Sequence, residues 1–418
     1  MDGKIKLYVL TGFLGSGKTT FLLDALKHLE GRRVGVIQNE FGKISVDGEI
    51  LSAGNVEMRE LNNGSIFCTC LKLNFVQALA EMSDRDLDCL FVESSGLADP
   101  SNLAEVLEAV DVLRPCAPYE LAGTICLVDA VAFLGDAAEL ETVVRQVVHC
   151  NIALINKCDL VDAERIEKVK RQVRELNPHC LVVETSQGRL DPALLDQDLS
   201  TYEWAPSEDT TNSADTKPKT FSIEFDDVPR ERMSAYLASL APSCYRIKGF
   251  GKLDGSWQQI DVAAGRIDYK PCPDEGTSHL VFISRVGIRL IRQIKDDWDR
   301  IVGLPVTLHN SREGRPRRAT TGGRDACRRA RRGPSKEESM DIKVIGAGCD
   351  KCDAMYDAVG RAVADLGLDA TVEKVEDLVE IVRLGVMQSP ALMVDGRVVS
   401  AGRVLKPKEA RRLLEGCR

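Results

Sequence analysis

The sequence predicts an α/β chain of several domains, led by a mostly parallel sheet wrapped in helices. Apolar runs of strand length recur at 6–10, 34–37, 90–92, 124–128, 152–155 and 181–183, with helical patterns between them. That alternation argues for parallel strands joined by crossover helices. A length of 418 residues exceeds one ordinary core and suggests two or three domains. A sharp change of texture after residue 310 separates a final segment from the rest.

Composition narrows the class. With 44% hydrophobic and 28% charged residues the chain reads as a soluble globular protein. No apolar run approaches the roughly 18 residues of a membrane helix, and MDGKIK lacks a signal-peptide core, so the expectation is a cytoplasmic protein without membrane insertion. A net charge of −9 argues against DNA as a partner. Fourteen cysteines in a chain without a secretory signal point to reactive thiols or metal ligands where they group. Cys89, Cys126 and Cys150 lie in apolar segments and read as small core residues.

The first strand, IKLYVL, runs into GFLGSGKTT, and a helical pattern leaves it. Gly12, Gly17, Lys18 and Thr19 meet the spacing G-x-x-x-x-G-K-[ST]. The backbone of Gly12, Gly15, Ser16, Gly17 and Thr20 would wrap a phosphate with its amides. Lys18 would neutralise the terminal phosphates, and the Thr19 hydroxyl would reach Mg²⁺.

After the second run, QNEFGKISVDG reads as a mobile loop in which Glu40 or Asp47 would orient the metal or the attacking water; a solvated loop acid is an equal reading of Asp47. DCLFVESSGLADP delivers Glu93 and Gly96 to the carboxyl edge of the sheet, where an acid can hold Mg²⁺ and a glycine amide can read a γ-phosphate. At INKCD, Asn156, Lys157 and Asp159 form N-K-x-D. A carboxylate there accepts two hydrogen bonds from guanine N1 and N2, which adenine cannot donate, so GTP is the expected nucleotide. ETSQG, at 184–188, reads as a second loop on the base side.

GFLGSGKTT, QNEFG, ELNNGSIFCTC, ESSGLADP and NKCDL, in this order, resemble the CobW family of metal-trafficking GTPases, relatives of the GTPases that insert nickel into urease and hydrogenase. CYRIKGF and SHLVFIS look like that family's small C-terminal α/β domain, and the likeness covers about three quarters of the chain. It implies a P-loop GTPase domain at 1–205, a CobW C-terminal-like domain at 219–310, and hydrolysis of GTP coupled to loading a divalent metal, zinc, cobalt, nickel or iron, into a client metalloprotein or cofactor enzyme. A homodimer is compatible with it.

The family's metal motif Asn-Gly-Cys-x-Cys-Cys is incomplete here. Ser65 and Phe67 stand where the first two cysteines would be, Cys68 keeps the third, and Cys70 adds one two residues on. Two thiolates can bind a soft divalent metal, with further ligands from Glu60, a client or another cysteine. The alternative is that Cys68 and Cys70 are packed beside the nucleotide switch and hold no metal. A GTP-dependent assembly factor without its own metal site then remains open.

Residues 311–339, rich in Arg, Gly, Pro and Ser without periodic apolar residues, read as a basic disordered linker. From Met340 to the end at 418, a strand is followed by Cys349 and Cys352 as C-x-x-C and by a helix with apolar Met355, Val359 and Val363. Thiols at a helix N-terminus are acidified by its dipole. Ser389 and Pro390 precede another strand and a DG turn, and a proline there can take the cis form. GCDKC and SPALMVDG resemble the small thioredoxin-like redox proteins, which implies that Cys349 attacks and Cys352 resolves. A C-x-x-C pair holding metal with outside ligands is the alternative reading, and a thiol-disulfide oxidoreductase with a GTPase module is the alternative function.

Overall fold

The structure, a computed structural model, describes residues 4–38, 56–61, 72–189, 191–195, 197, 199, 202, 205, 218–263, 265–310, 339–346, 348 and 350–417. The expectations for Glu40, Asp47, Ser65, Phe67, Cys68, Cys70, Cys349 and the linker at 311–338 lie outside them. Contacts divide the chain into two compact units, Met1–Lys217 with Lys343–Ala362 and Glu373–Arg418, and Pro218–Ile342 with Val363–Val372.

The first unit is built on a seven-stranded sheet of order β3-β2-β4-β1-β5-β6-β7. The strands are β1 (Ile5–Thr11), β2 (Val34–Gln38), β3 (Val56–Glu60), β4 (Cys89–Glu93), β5 (Tyr119–Asp129), β6 (Ile152–Asn156) and β7 (Leu181–Glu184), and every pairing between neighbours is parallel. β2, β4 and β6 are buried along their whole length, as expected of strands covered on both faces.

All six expected strands form, and β3 is an addition. Its sequence VEMRE alternates charge with apolar Val56 and Met58, which suits a short edge strand and gives no continuous apolar run. The helices are α1 (Lys18–His28), α2 (Lys72–Met82), α3 (Leu103–Leu113), α4 (Phe133–Glu139), α5 (Glu141–Val148) and α6 (Ala163–Leu176). α6 shows why such segments fold locally: the Asp162 carboxylate caps the Arg165 N–H at 2.8 Å, and Val169 and Val173, one turn apart, are its buried face.

The second unit carries a six-stranded antiparallel sheet, β11-β10-β9-β12-β8-β13. Its strands are β8 (Thr220–Phe225), β9 (Cys244–Leu253), β10 (Ser256–Ala263), β11 (Arg266–Pro271), β12 (Ser278–Ser284) and β13 (Val306–Asn310), with helices α7 (Arg230–Leu240) and α8 (Leu290–Asp297). β8 and β12 alternate buried and half-buried residues, the mark of a sheet packed on one face. Trp298 and Tyr236 meet edge to face at 5.0 Å in its core, and the indole N–H donates to the Leu304 carbonyl at 2.7 Å.

The C-terminal segment has a four-stranded sheet, β15-β14-β16-β17, from β14 (Met340–Ile345), β15 (Ala370–Val375), β16 (Ala391–Val394) and β17 (Arg397–Ala401). Its helices are α9 (Asp350–Leu366), α10 (Leu378–Arg383) and α11 (Pro407–Gly416). Asp395 and Gly396, both at positive φ, make the turn between β16 and β17.

Candidate nucleotide site

The expected nucleotide-site residues that fall among the described ones lie on the carboxyl edge of the seven-stranded sheet. β1 ends at Thr11, the loop turns through Gly12, Gly15 and Gly17 at positive φ, and α1 begins at Lys18. The Lys18 ammonium donates to the carbonyls of Gly12 at 2.7 Å and Phe13 at 3.1 Å, and so spans the loop. Among the described residues, the buried hydroxyls Thr11 Oγ1 and Ser16 Oγ have no hydrogen-bond partner. Orphaned hydroxyls are costly in a dry interior, and a phosphate cradled by this loop would supply acceptors for them.

Asn156, at the end of β6, ties two loops together. Its Nδ2 donates to the Ser16 carbonyl at 2.8 Å, and its Oδ1 accepts the Gly188 N–H at 2.9 Å. A Cβ on Gly17 would stand 2.3 Å from Asn156 Nδ2, so the approach requires glycine. The loop at 184–188 is thereby held to the phosphate-binding loop through the first residue of N-K-x-D. Lys157, at φ 65, donates to Asp129 Oδ2 at 2.6 Å, while Asp129 Oδ1 takes the Val131 N–H at 2.9 Å. The Asp159 side chain is exposed on the same loop, next in line after Cys158. Burial pushes the Cys158 thiol above its ordinary pKa, so it stays protonated beside this loop.

Glu93 ends β4 with 1% of its surface exposed. Its Oε1 accepts from the Thr19 hydroxyl at 2.6 Å and its Oε2 from Gln38 Nε2 at 2.8 Å. A hydroxyl and a carboxylate held together are hard oxygen donors, the chemistry that suits Mg²⁺. Gly96 follows in the loop, where a Cβ would stand 2.7 Å from the Leu14 N atom. Only glycine lets this loop lie against the phosphate-binding loop.

Several residues at this edge escaped the sequence reading. Gln38 holds Glu93 from β2. Asp99, fully buried, caps the turn Pro100–Asn102 through the Ser101 N–H and pairs with Arg145 Nε at 3.0 Å. Gln146 donates to the carbonyls of Gly96 at 3.2 Å and Ala98 at 2.8 Å. Gln38 and Asp99 stand inside motifs already quoted, QNEFG and ESSGLADP, which was the available signal; Arg145 and Gln146 sit on an unremarkable helix and left none.

Of the expected thiols, Cys352 is described, buried in the first turn of α9 with its Sγ over Gly346. Ser389 also borders Gly346, and the Ser389–Pro390 bond is cis. Cys89, Cys126 and Cys150 are buried, and burial lifts the Cys89 thiol to about 11. Among the described residues no group of three or more His, Cys, Asp or Glu side chains is placed to hold a metal ion. No helix among them is long and apolar enough to cross a membrane.

Comparison with known proteins follows the same division. Residues 6–184 match the CobW/HypB/UreG nucleotide-binding domain, and residues 340–415 match a thioredoxin domain. The chain is 33% identical over 227 residues to "Zinc chaperone CobW" of Pseudomonas aeruginosa, covering 46% of this chain and 60% of that protein. It is 31% identical over 220 residues to "Zinc-regulated GTPase metalloprotein activator 1" of Schizosaccharomyces pombe, covering 50% and 51%. The chain thus spans between half and two thirds of the length of these relatives. Zn(II)-bound YjiA GTPase from E. coli is a similar solved structure, 25% identical, covering 72% of this chain and 99% of that one at a TM-score of 0.38. The chain therefore carries a nucleotide-binding domain of the CobW/HypB/UreG family, with a thioredoxin domain at its C-terminal end.

Proposed function

We propose that this protein binds and hydrolyses GTP and uses the cycle to hand a divalent metal, zinc before cobalt, nickel or iron, to a client metalloprotein. The observation that carries the nucleotide half is the bonded set of half-buried Thr19 with buried Glu93 and Gln38, where the phosphate-binding loop meets Gly96. The preference for zinc rests on what the relatives are named for.

In this reading Lys18 draws charge from the terminal phosphates, and the amides of Gly15, Ser16, Gly17 and Thr20 hold them in place. Thr19 and Glu93 are the groups that would hold Mg²⁺, which neutralises charge on the bridging phosphate oxygens when bound. The Gly96 amide senses the γ-phosphate, and Glu40 orients the attacking water. Asp159 selects guanine, with Asn156 and Lys157 fixing its loop. Cys68 and Cys70 carry the cargo metal. Only a difference in metal affinity between the GTP and GDP states can drive its transfer. In the tail, Cys349 attacks a client disulfide and Cys352 displaces the client thiolate, so that the client gains two electrons and the pair is left oxidised.

Guanine selection is tested by comparing GTP, xanthosine triphosphate and ATP on the wild type and on Asp159→Asn. A carboxylate hydrogen-bonded to the base is worth about 1.5–3 kcal/mol, so GTP should weaken about tenfold to a hundredfold, while xanthosine triphosphate should bind the variant better. Equal affinity of the wild type for ATP and GTP would overturn the assignment.

A further inference from the structure

Helix α3 is more apolar than its place on the sheet requires. Leu103, Val106, Leu107, Ala109, Val110, Val112 and Leu113 cover roughly 220° of its circumference at 100° per residue, against the roughly 100° stripe that faces a core. The one polar residue within that arc, Glu105, is paired at 2.6 Å with Lys72 of α2. α2 is wrapped as widely, with Asn74 and Gln77 its only exposed positions. Both helices therefore need cover on a second side.

That cover is α10 of the C-terminal segment, which packs chiefly on α3 and also on α2. All four apolar residues of its six, Leu378, Val379, Ile381 and Val382, are at most 5% exposed, and only Glu380 and Arg383 face solvent. They belong to the same continuous apolar core as Phe75 and Leu79 of α2 and Val106 and Val110 of α3, with Leu107 and Val112 packed against it.

α3 is also mechanically joined to the nucleotide edge. It starts directly after the turn Pro100–Asn102, which Asp99 and Arg145 anchor, and Gln146 holds the carbonyls of Gly96 and Ala98 just before it. Gly96 in turn lies on Leu14 of the phosphate-binding loop. These contacts form a continuous path from Gly96 to the helix on which α10 sits.

We propose that the thioredoxin domain is a docked partner of this chain's own nucleotide-binding domain, seated through α10 on the face of α2 and α3, and that its docking is linked to the bound nucleotide through α3. The linkage limb rests on the GTP reading above. By reciprocity, a nucleotide that changes the affinity of the docked domain is itself bound differently when that domain is docked.

The test uses the full chain with a protease site placed within 311–338, cut after folding. The two fragments should remain associated, and their affinity should differ at least fivefold between GDP and a non-hydrolysable GTP analogue, within the usual range of such couplings. Val112→Arg on α3 and Val379→Arg on α10 attack the interface from opposite sides; each should weaken association at least tenfold. Either one with an unchanged circular dichroism spectrum suffices for the test. Fragments that separate in every nucleotide state, or associate equally in both, overturn the proposal. Nucleotide affinity of the uncut chain, measured in parallel, shows separately whether the GTP reading itself has failed.

Discussion

The carboxyl edge of the seven-stranded sheet and the core of the six-stranded sheet bury very different chemistry. At the first, Ser16, Lys18, Gln38, Glu93, Ser94, Asp99 and Asn156 are all buried and polar. In the second unit the buried polar side chains of its sheet are Gln258, Ser278 and Ser284, around an interior of Trp298, Tyr236, Phe282 and aliphatic residues. Burying a polar group costs free energy unless it is bonded, and several groups at the first edge are bonded across elements far apart in sequence. One region is thus arranged for a charged ligand and the other for stability.

The largest expected effect breaks the stable region. Trp298→Ala should cost about 3–5 kcal/mol by opening a cavity where Tyr236 and Phe225 now pack. Urea unfolding should show this loss in the second unit, with GTP affinity unchanged. Close behind comes Glu93→Gln, which removes the charge between Thr19 and Gln38 and keeps the side chain's volume. GTP turnover should fall about a hundredfold, close to 3 kcal/mol in barrier, with little change in the unfolding midpoint. If Glu93→Gln unfolds the chain and leaves turnover intact, the contrast between the two regions is wrong.

The smallest effect lies at the opposite edge of the same sheet. Asp88, before β4, accepts the Arg33 guanidinium at 2.6 Å and the Arg33 backbone N–H at 2.8 Å. Those bonds, the side-chain one foremost, hold its carboxyl below the usual range. A carboxyl whose folded pKa is depressed stabilises above the unfolded value, near pH 4, and loses that contribution as pH falls through the folded value. Unfolding midpoints at pH 5 and pH 3 should therefore differ slightly more in the wild type than in Asp88→Asn, and high salt should shrink the gap because the pair is exposed.

Much of this architecture was legible in the sequence because parallel strands buried on both faces appear as unbroken apolar runs, as in CLFVE and IALIN. VEMRE was not, since an edge strand keeps charges on its open side. Lys18, Thr19, Glu93 and Asn156 could be named from spacing, but the bonds joining them could not: Gln38 meets Glu93 across 55 residues, and Asn156 meets Ser16 across 140. The width of the apolar arc on α3 was present in the letters, yet nothing local indicates that a helix some 270 positions later covers it. Cys68 and Cys70 stand apart from all of this, since they lie outside the described residues.

Whether GTP gates a metal site is decided by zinc affinity and stoichiometry of the reduced protein, measured without nucleotide, with GDP and with a non-hydrolysable GTP analogue, on the wild type and on Cys68→Ser, Cys70→Ser. One tightly held zinc is expected, with an affinity that changes with the nucleotide and is lost in the double variant. Zinc binding that ignores the nucleotide, or that follows Cys349 and Cys352 instead, would contradict it.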